Sequence, residues 1–482
     1  MSENPYNPLQ PTRDPLMFFG REETLAAIQL HLVSGTNRHA VTILGQRGMG
    51  KSSLLSQIPL NIDERFVCVY IDLNQVELED VTGFVAAVVD QIRAMLEVIE
   101  ASTLRLPAFP NAADVDLLDW LAGEYLEVVL AAIRRSRHLV LMFDDVHLLF
   151  EAMEAGNLPA HFMTYLAVLL DRYDRLNMIA ALDITYEARA LQTPPFDNAQ
   201  LHHRLTNLSP EQAEAVVTKP VEGLYEFEPP ALRRVLELTG GHPFHLHSLC
   251  RLIYRLYEQE RRVSTIAMVD IEAVYPAALE QAGDIVKPLW EHVRPNERLA
   301  LTSLLDLRQH NPNEQFAPDA LREWLSKTEY PLNGVQLAAA LRGLEYLGIV
   351  QTNQQGEYAF SSGIQADWLT AYIVDAPAET VQRPPKLMPK PRLSRHTLTM
   401  IALGPVAAAI ILGLALVLND DDPSNDRSAS TATLQLDIEA TRQSDYVTQT
   451  AAAATSTATP TATWTPQPTF TATPQPPRRF GG

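Results

Sequence analysis

Cysteine is nearly absent: the 482 residues contain two, Cys68 and Cys250, both in apolar surroundings. That excludes a disulfide framework and fits reduced core thiols of a cytosolic domain. Positive charge is short as well. Lys and Arg total 38 against 58 Asp and Glu, for a net charge of −20, which argues against a chain that coats nucleic acid. The first dozen residues are polar and proline-containing and have no apolar run, so no secretory signal peptide is expected there. No repeat array stands out. What is plentiful is apolar residues, 46% of the chain, enough for sizeable cores in the two or three domains that this length implies.

The stretch with the clearest chemistry is Ala40-Val-Thr-Ile-Leu-Gly-Gln-Arg-Gly-Met-Gly-Lys-Ser-Ser53. It reads as a buried strand, a glycine-rich turn and a helix. Gly45, Gly50, Lys51 and Ser52 fall at the spacing of a P-loop. Glycines let the backbone from Gly45 through Gln46, Arg47 and Gly48 curl, so that successive N–H groups face phosphate oxygens. The helix that opens at Lys51, Ser52 and Ser53 adds the positive end of its dipole. Lys51 reaches the β- and γ-phosphates, and Ser52 offers its hydroxyl to Mg²⁺.

The surrounding pattern alternates strand and helix. Helical spacing is expected at 22–33, then the P-loop strand, a P-loop helix stopping near Pro59, a strand at 66–71 and a long helix at 81–99. A proline-containing connection at 101–116 leads to a helix at 117–135 that ends among Arg134, Arg135 and Arg137, as a helix C-terminus prefers. A strand follows from His138, ending in the acids Asp144 and Asp145. Residues 145–173 read as mainly helical, 177–182 as a fourth strand and 205–208 as a short fifth. Strands and helices alternating at this length imply a parallel α/β sheet covered on both faces. Ligands then sit at the carboxyl ends of the strands, where Gly45, Asp144 and Asp183 all fall. Asp144 is the expected second anchor for Mg²⁺ beside Ser52.

Ser209-Pro-Glu-Gln212 starts a helical region. Beyond residue 290 the pattern changes to three helical stretches, two short strands around Asn353-Gln-Gln-Gly356 and a closing helix, the layout of a winged helix. Residues 397–418 carry no charge, a length that spans a bilayer. Arg383, Lys386, Lys390, Arg392 and Arg395 precede this run and Asp420, Asp421 and Asp422 follow it. The positive-inside rule therefore puts the N-terminal part in the cytoplasm and the tail outside. The tail, rich in Thr, Ala, Ser and Pro, cannot bury a core. The expected domains are a flexible leader at 1–14, a P-loop ATPase core at 15–208 and a helical lid at 209–290. A winged helix at 291–376, a basic linker at 377–396, a transmembrane helix at 397–418 and a disordered tail at 419–482 complete the chain.

Phe18-Phe-Gly-Arg-Glu22, the P-loop, the Asp144-Asp145 strand end and Gly241-His-Pro243, in that order, resemble the STAND and origin-recognition-type AAA+ ATPases over residues 15–375. The resemblance implies a three-layer α/β P-loop fold with a helical lid and a winged helix, with ATP and ADP as a conformational switch and self-association. It implies that Asp145 polarises the attacking water, with Lys51 assisting. By the same resemblance Gly20 and Arg21 lie near the adenine, and Pro243 closes over the nucleotide. The strand end Leu182-Asp183-Ile184-Thr185 lacks the arginine that some relatives carry; Thr185 or Asp183 takes its place as a sensor candidate. Arg134, Arg135, Arg172, Arg175 and Arg189 are undifferentiated candidates for an arginine finger.

Two other readings are weaker. His242, His245, His247 and Cys250 do not share one helix face, which disfavours zinc and favours packing in the lid; His242, inside the Gly-x-Pro motif, is also placed near the nucleotide. From Glu291 to Asp375 there are six basic and eleven acidic residues. A net −5, with Arg342 alone on the third helical stretch, makes nucleic acid an improbable partner.

Overall fold

The computed structural model describes residues 4–35, 38–111, 115–259, 264–310, 315–326 and 332–375. The expected linker at 377–396, the uncharged run at 397–418 and the tail at 419–482 lie outside the described residues. Among the described residues no helix is long and apolar enough to cross a membrane.

Five strands build one parallel sheet: β1 (Val41–Gly45), β2 (Phe66–Asp72), β3 (His138–Asp144), β4 (Leu176–Asp183) and β5 (His202–Arg204), in the spatial order β2-β3-β4-β1-β5. Alternate side chains serve two cores, as the period of two requires. Val67, Val69 and Ile71 pack with the helices Val81–Val98 and Phe162–Arg172 on one face. Phe66, Cys68 and Ile43 pack with Glu22–Ser34 and the P-loop helix Lys51–Asn61 on the other. Such two-sided burial explains why the central strands read as continuous apolar runs. The register aligns Gly45 with Asp183 and Asp72 with Asp144, gathering these residues at the carboxyl edge of the sheet.

Several expectations need correction. The fifth strand lies at His202–Arg204, not at 205–208. It is an edge strand paired only with β1, and polar side chains suffice there. Leu205 and Leu208 are buried in the extended segment that follows. The P-loop helix runs past Pro59 to Asn61, because a proline in a last turn removes only one helical bond. The helix expected at 117–135 contains a π-turn at Leu121–Tyr125 and ends at Ala132. Its end is held from a distance: Arg175 donates to the carbonyl of Leu130 in the last turn and to those of Arg134 and Arg137 in the loop beyond. Residues 4–14, expected as a loose leader, are held in place: Tyr6 is 1% exposed and belongs to the lid's core.

From Ser209 onward the chain is mainly helical. Ser209 and Gln212 form a reciprocal capping box with Pro210 in the first turn. The helices Pro229–Thr239, Pro243–Gln259 and Met268–His292 follow, with a short parallel pair, β6 (Glu226–Phe227) and β7 (Thr265–Ile266). Then come Pro295–His310, Pro318–Ser326 and Gly334–Tyr346, an antiparallel hairpin of β8 (Val350–Thr352) and β9 (Tyr358–Phe360), and Gly363–Asp375. One apolar core runs from Leu208 through Leu246, Ile271, Leu301 and Leu341 to Leu369. The expected boundary at 290 therefore does not interrupt the packing.

This second body meets the sheet at close backbone approaches. Leu208 N–H donates to Gly241 O at 2.9 Å. Gly241 has φ +75°, and a Cβ there would stand 2.4 Å from Leu208 O. Gly241→Ala should therefore cost about 2–4 kcal/mol, combining left-handed strain with a backbone clash. Chemical denaturation checks this; a loss under about 1 kcal/mol would show that the junction yields easily.

Candidate functional site

β1 is buried along its whole length and delivers the chain into the turn at Gln46. Gly48 and Gly50 take φ of +79° and +89°, the left-handed backbone that glycine tolerates. Gly48 is needed for a second reason: a Cβ there would lie 2.8 Å from Cβ of Phe244 on the lid. Gly50 then caps the helix Lys51–Asn61. Lys51 is only 7% exposed, and its Nζ donates to Gly45 O at 2.9 Å and Gln46 O at 3.1 Å.

The end of β3 meets the start of this helix. Asp144 is 2% exposed. Its carboxylate lies beside Ser52 and accepts from Tyr70 Oη at 2.9 Å. Burial pushes its pKa up, and the neighbouring Asp145 adds to this; Ser52, Tyr70 and Lys51 pull the other way without cancelling it. Asp145 has φ +54°, unusual for a residue with a side chain. Its Oδ2 accepts from Asn74 Nδ2 at 2.5 Å, and His147 Nδ1 lies 3.8 Å from its Oδ1. A hydroxyl and a carboxylate meeting beside a curl of backbone N–H groups is an all-oxygen donor set, suited to a hard divalent cation next to an anion.

A cavity of about 590 Å³ opens in front of these groups, between the turn, the lid and the N-terminal segment. Arg47, Gly48, Gly50, Lys51, Ser52, Ser53 and Asp145 line it. Phe18, Phe19 and Pro243 also line the cavity. Arg21 also reaches the cavity wall, but its guanidinium is buried and donates to Met49 O (3.3 Å) and Thr206 O (2.8 Å), bracing the turn. Burial lowers its pKa to about 10. Four expected residues lie outside the cavity wall: Asp144, buried behind it, and Gly20, Gly45 and Gln46. Gly20 packs against Gln212 and Leu208. Gly45 and Gln46 border a second cleft, and the Gln46 amide donates to the carbonyl of Leu347 in the C-terminal helical region.

The sensor candidates Asp183 and Thr185 satisfy each other, with Thr185 Oγ1 donating to Asp183 Oδ1 at 2.7 Å. Arg175 and Arg189 are engaged within the chain, the latter with Glu154 and over the ring of Phe150. His242 and His245 pack ring against ring at 4.6 Å, whereas His247 turns to Tyr6 at 5.9 Å. Burial, then the nearby Arg21 charge, lowers the His242 pKa to about 3, so the ring is neutral.

Sequence reasoning missed Tyr70 and Asn74, which reach the acids from β2 and the turn after it. Their only signal was polarity at the end of an apolar strand. It also missed Glu187, whose carboxylate accepts from Arg204 Nε (2.9 Å), Arg204 Nη2 (2.6 Å) and Tyr346 Oη (2.6 Å). Burial alone would raise this group, but hydrogen bonds from His202, Arg204 and Tyr346 outweigh it and bring the carboxyl down to about 2. Tyr346 ends the helix Gly334–Tyr346, so this contact ties the C-terminal helices to the sheet.

Residues 18–249 match a family of ATPase domains described as predominantly from Archaea. A Walker-type ATPase of Pyrococcus abyssi is similar in structure, with 14% sequence identity and a TM-score of 0.53, covering 75% of this chain and 98% of that one. The ORC2 protein of Aeropyrum pernix, solved in ADPNP–ADP complexes, is similar at 15% identity and a TM-score of 0.51, covering 74% of this chain and 92% of that one. No curated protein matches the chain. The match over residues 18–249 and the parallel sheet support a domain of the P-loop ATPase fold.

The raised pKa of Asp144 makes a thermodynamic prediction. A carboxyl whose folded pKa lies above its unfolded value destabilises the fold once ionised, so the penalty is absent at low pH and grows as pH rises through the folded value. Asp144→Asn should therefore raise the melting temperature of the nucleotide-free chain at pH 7.5 by about 2 °C, and the gain should shrink as the pH is lowered. A melting temperature that falls at pH 7.5 would overturn this.

Proposed function

We propose that this chain is a slow, Mg²⁺-dependent ATPase that works as a nucleotide switch, with a C-terminal winged helix and a membrane anchor. The observation that carries the reading is Ser52 beside Asp144, with Ser52, the Gly48–Gly50 turn and Pro243 of the lid lining one cavity. Ser52 and Asp144 would hold Mg²⁺, Asp144 in part through water. The cation, when bound, would neutralise phosphate charge and fix the terminal phosphates.

The chain's own residues supply the rest. Lys51 turns its ammonium from the carbonyls of Gly45 and Gln46 to the β- and γ-phosphates. The N–H groups of the turn cradle the same oxygens. Asp145 accepts a proton from the attacking water as the terminal phosphoryl group transfers to it. Asn74 occupies one of the Asp145 oxygens, which favours slow turnover. Pro243 and the apolar wall exclude bulk water from the base.

The switch reading draws on the contacts of the turn with the C-terminal helices. Gln46 of the P-loop donates to Leu347 O, and Tyr346 holds Glu187 beside the sheet. A phosphate-induced movement of the turn would act directly on that contact. The three helices and hairpin at 295–360 support the winged-helix assignment, with a packing or regulatory role that suits the region's negative charge. The Aeropyrum relative's adenine-nucleotide complexes favour ATP and ADP as ligands here. Switching by assembly, as in STAND and origin-recognition proteins, is part of the proposal.

Turnover by the purified chain with Mg²⁺, beside Lys51→Ala, is the deciding measurement. The native chain should carry adenine nucleotide and release phosphate at a slow but measurable rate. Lys51→Ala should lose at least tenfold in ATP affinity. Normal affinity in that variant would sink the reading, and bound nucleotide without turnover would favour a non-hydrolysing scaffold.

The anchor rests on the uncharged run at 397–418 and its flanking charges. Cell fractionation should find the chain in membranes after an alkaline wash, and protease added from outside should trim the tail but spare the ATPase. Recovery in the soluble fraction would remove the anchor from the proposal.

A further inference from the structure

The segment before the first long helix is pinned at both ends, and to different bodies. Near its start, Asn4 Nδ2 donates to Arg251 O at 3.2 Å and Tyr6 Oη to Val217 O at 2.7 Å. Both acceptors belong to lid helices. The Tyr6 ring is 1% exposed and stands edge-on to His247. At the other end Thr12 N–H donates to Ser53 Oγ at 3.0 Å, and Thr12 O accepts from Ser56 Oγ at 3.0 Å and Gln57 Nε2 at 3.1 Å. Gln57 Nε2 also reaches Arg13 O at 2.9 Å. All three donors and acceptors on that side belong to the P-loop helix. Between the two pins, residues 7–12 form part of the wall of the 590 Å³ cavity.

A terminal segment without regular structure ordinarily frays. This one is kept ordered by side chains of two separate bodies. Six residue steps separate Tyr6 from Thr12, and an extended chain gains at most about 3.3–3.6 Å per step, roughly 20 Å in all. The lid can move away from the P-loop helix only as far as that slack allows before one pin opens.

We propose that residues 4–13 are a strap that gates release of the nucleotide, holding the lid over the cavity until the Tyr6 pin on the lid lets go. The gate rests on the nucleotide reading above. Tyr6→Phe removes one hydroxyl from the pin and leaves the ring. It touches no group placed against the phosphates or the cation.

The test is stopped-flow kinetics of a fluorescent mant-ADP on the full-length chain with Mg²⁺, native and Tyr6→Phe. A gate predicts dissociation at least threefold faster in the variant with association within twofold of native, a split that general destabilisation would not give. Dissociation less than threefold faster would overturn it. Where circular dichroism shows that Tyr6→Phe fails to fold, amide exchange of the native chain decides. Bound ADP should protect residues 7–12 together with the P-loop, and protection of the P-loop alone would overturn the strap. A native chain that binds no mant-ADP would bring down the nucleotide reading and the strap with it, whereas binding with unchanged dissociation removes the strap alone.

Discussion

The arrangement depends on one close approach, the backbone of Gly48 against the Cβ of Phe244. At this point a turn that must curl around phosphates also serves as the seat of the lid. A side chain at residue 48 would push the two bodies apart. With the approach intact, Pro243 and the Gly48–Gly50 turn face the same cavity. Arg21 secures the geometry from behind by holding two carbonyls, Met49 O and Thr206 O, that lie on either side of the seam. A guanidinium is suited to this, because its several donors lie in a fixed plane and it keeps its charge even when burial weakens its hold on the proton.

The acids at the strand ends divide their work by environment. Asp144 is buried and supported by Ser52 and Tyr70, a setting that holds a carboxylate still and makes its charge costly. Asp145, one residue later, has turned through a left-handed backbone to face the cavity, with Asn74 and His147 beside it. Adjacent residues in a continuing strand would point to opposite faces. The turn at Asp145 ends the strand and brings both carboxylates to one edge of the sheet.

Much of this was legible in the sequence. The P-loop spacing, the central strands and the helix start at Ser209 announce themselves because each rests on a local rule: glycine spacing, an unbroken apolar run, a capping serine ahead of a proline. The parts that were not legible rest on partners far along the chain. His202–Arg204 makes a strand because β1 offers an unpaired edge, not because its side chains favour one. Arg175 replaces the arginines expected to cap the helix that ends at Ala132, reaching across some forty residues. The N-terminal segment looked loose because its order comes from its own backbone groups and from one tyrosine in the lid's core. Glu187 and Tyr346 are 159 residues apart, and nothing local to either marks the pair.

The core that runs unbroken from the lid into the last helices has a mechanical consequence. Residues that share such packing do not slide freely past one another, so the lid and the C-terminal helices form one packed body. Gly363–Asp375 belongs to the same body. A displacement of Pro243 is therefore shared by the helices packed behind it. A pull applied at Asp375 therefore reaches the lid before it reaches the sheet.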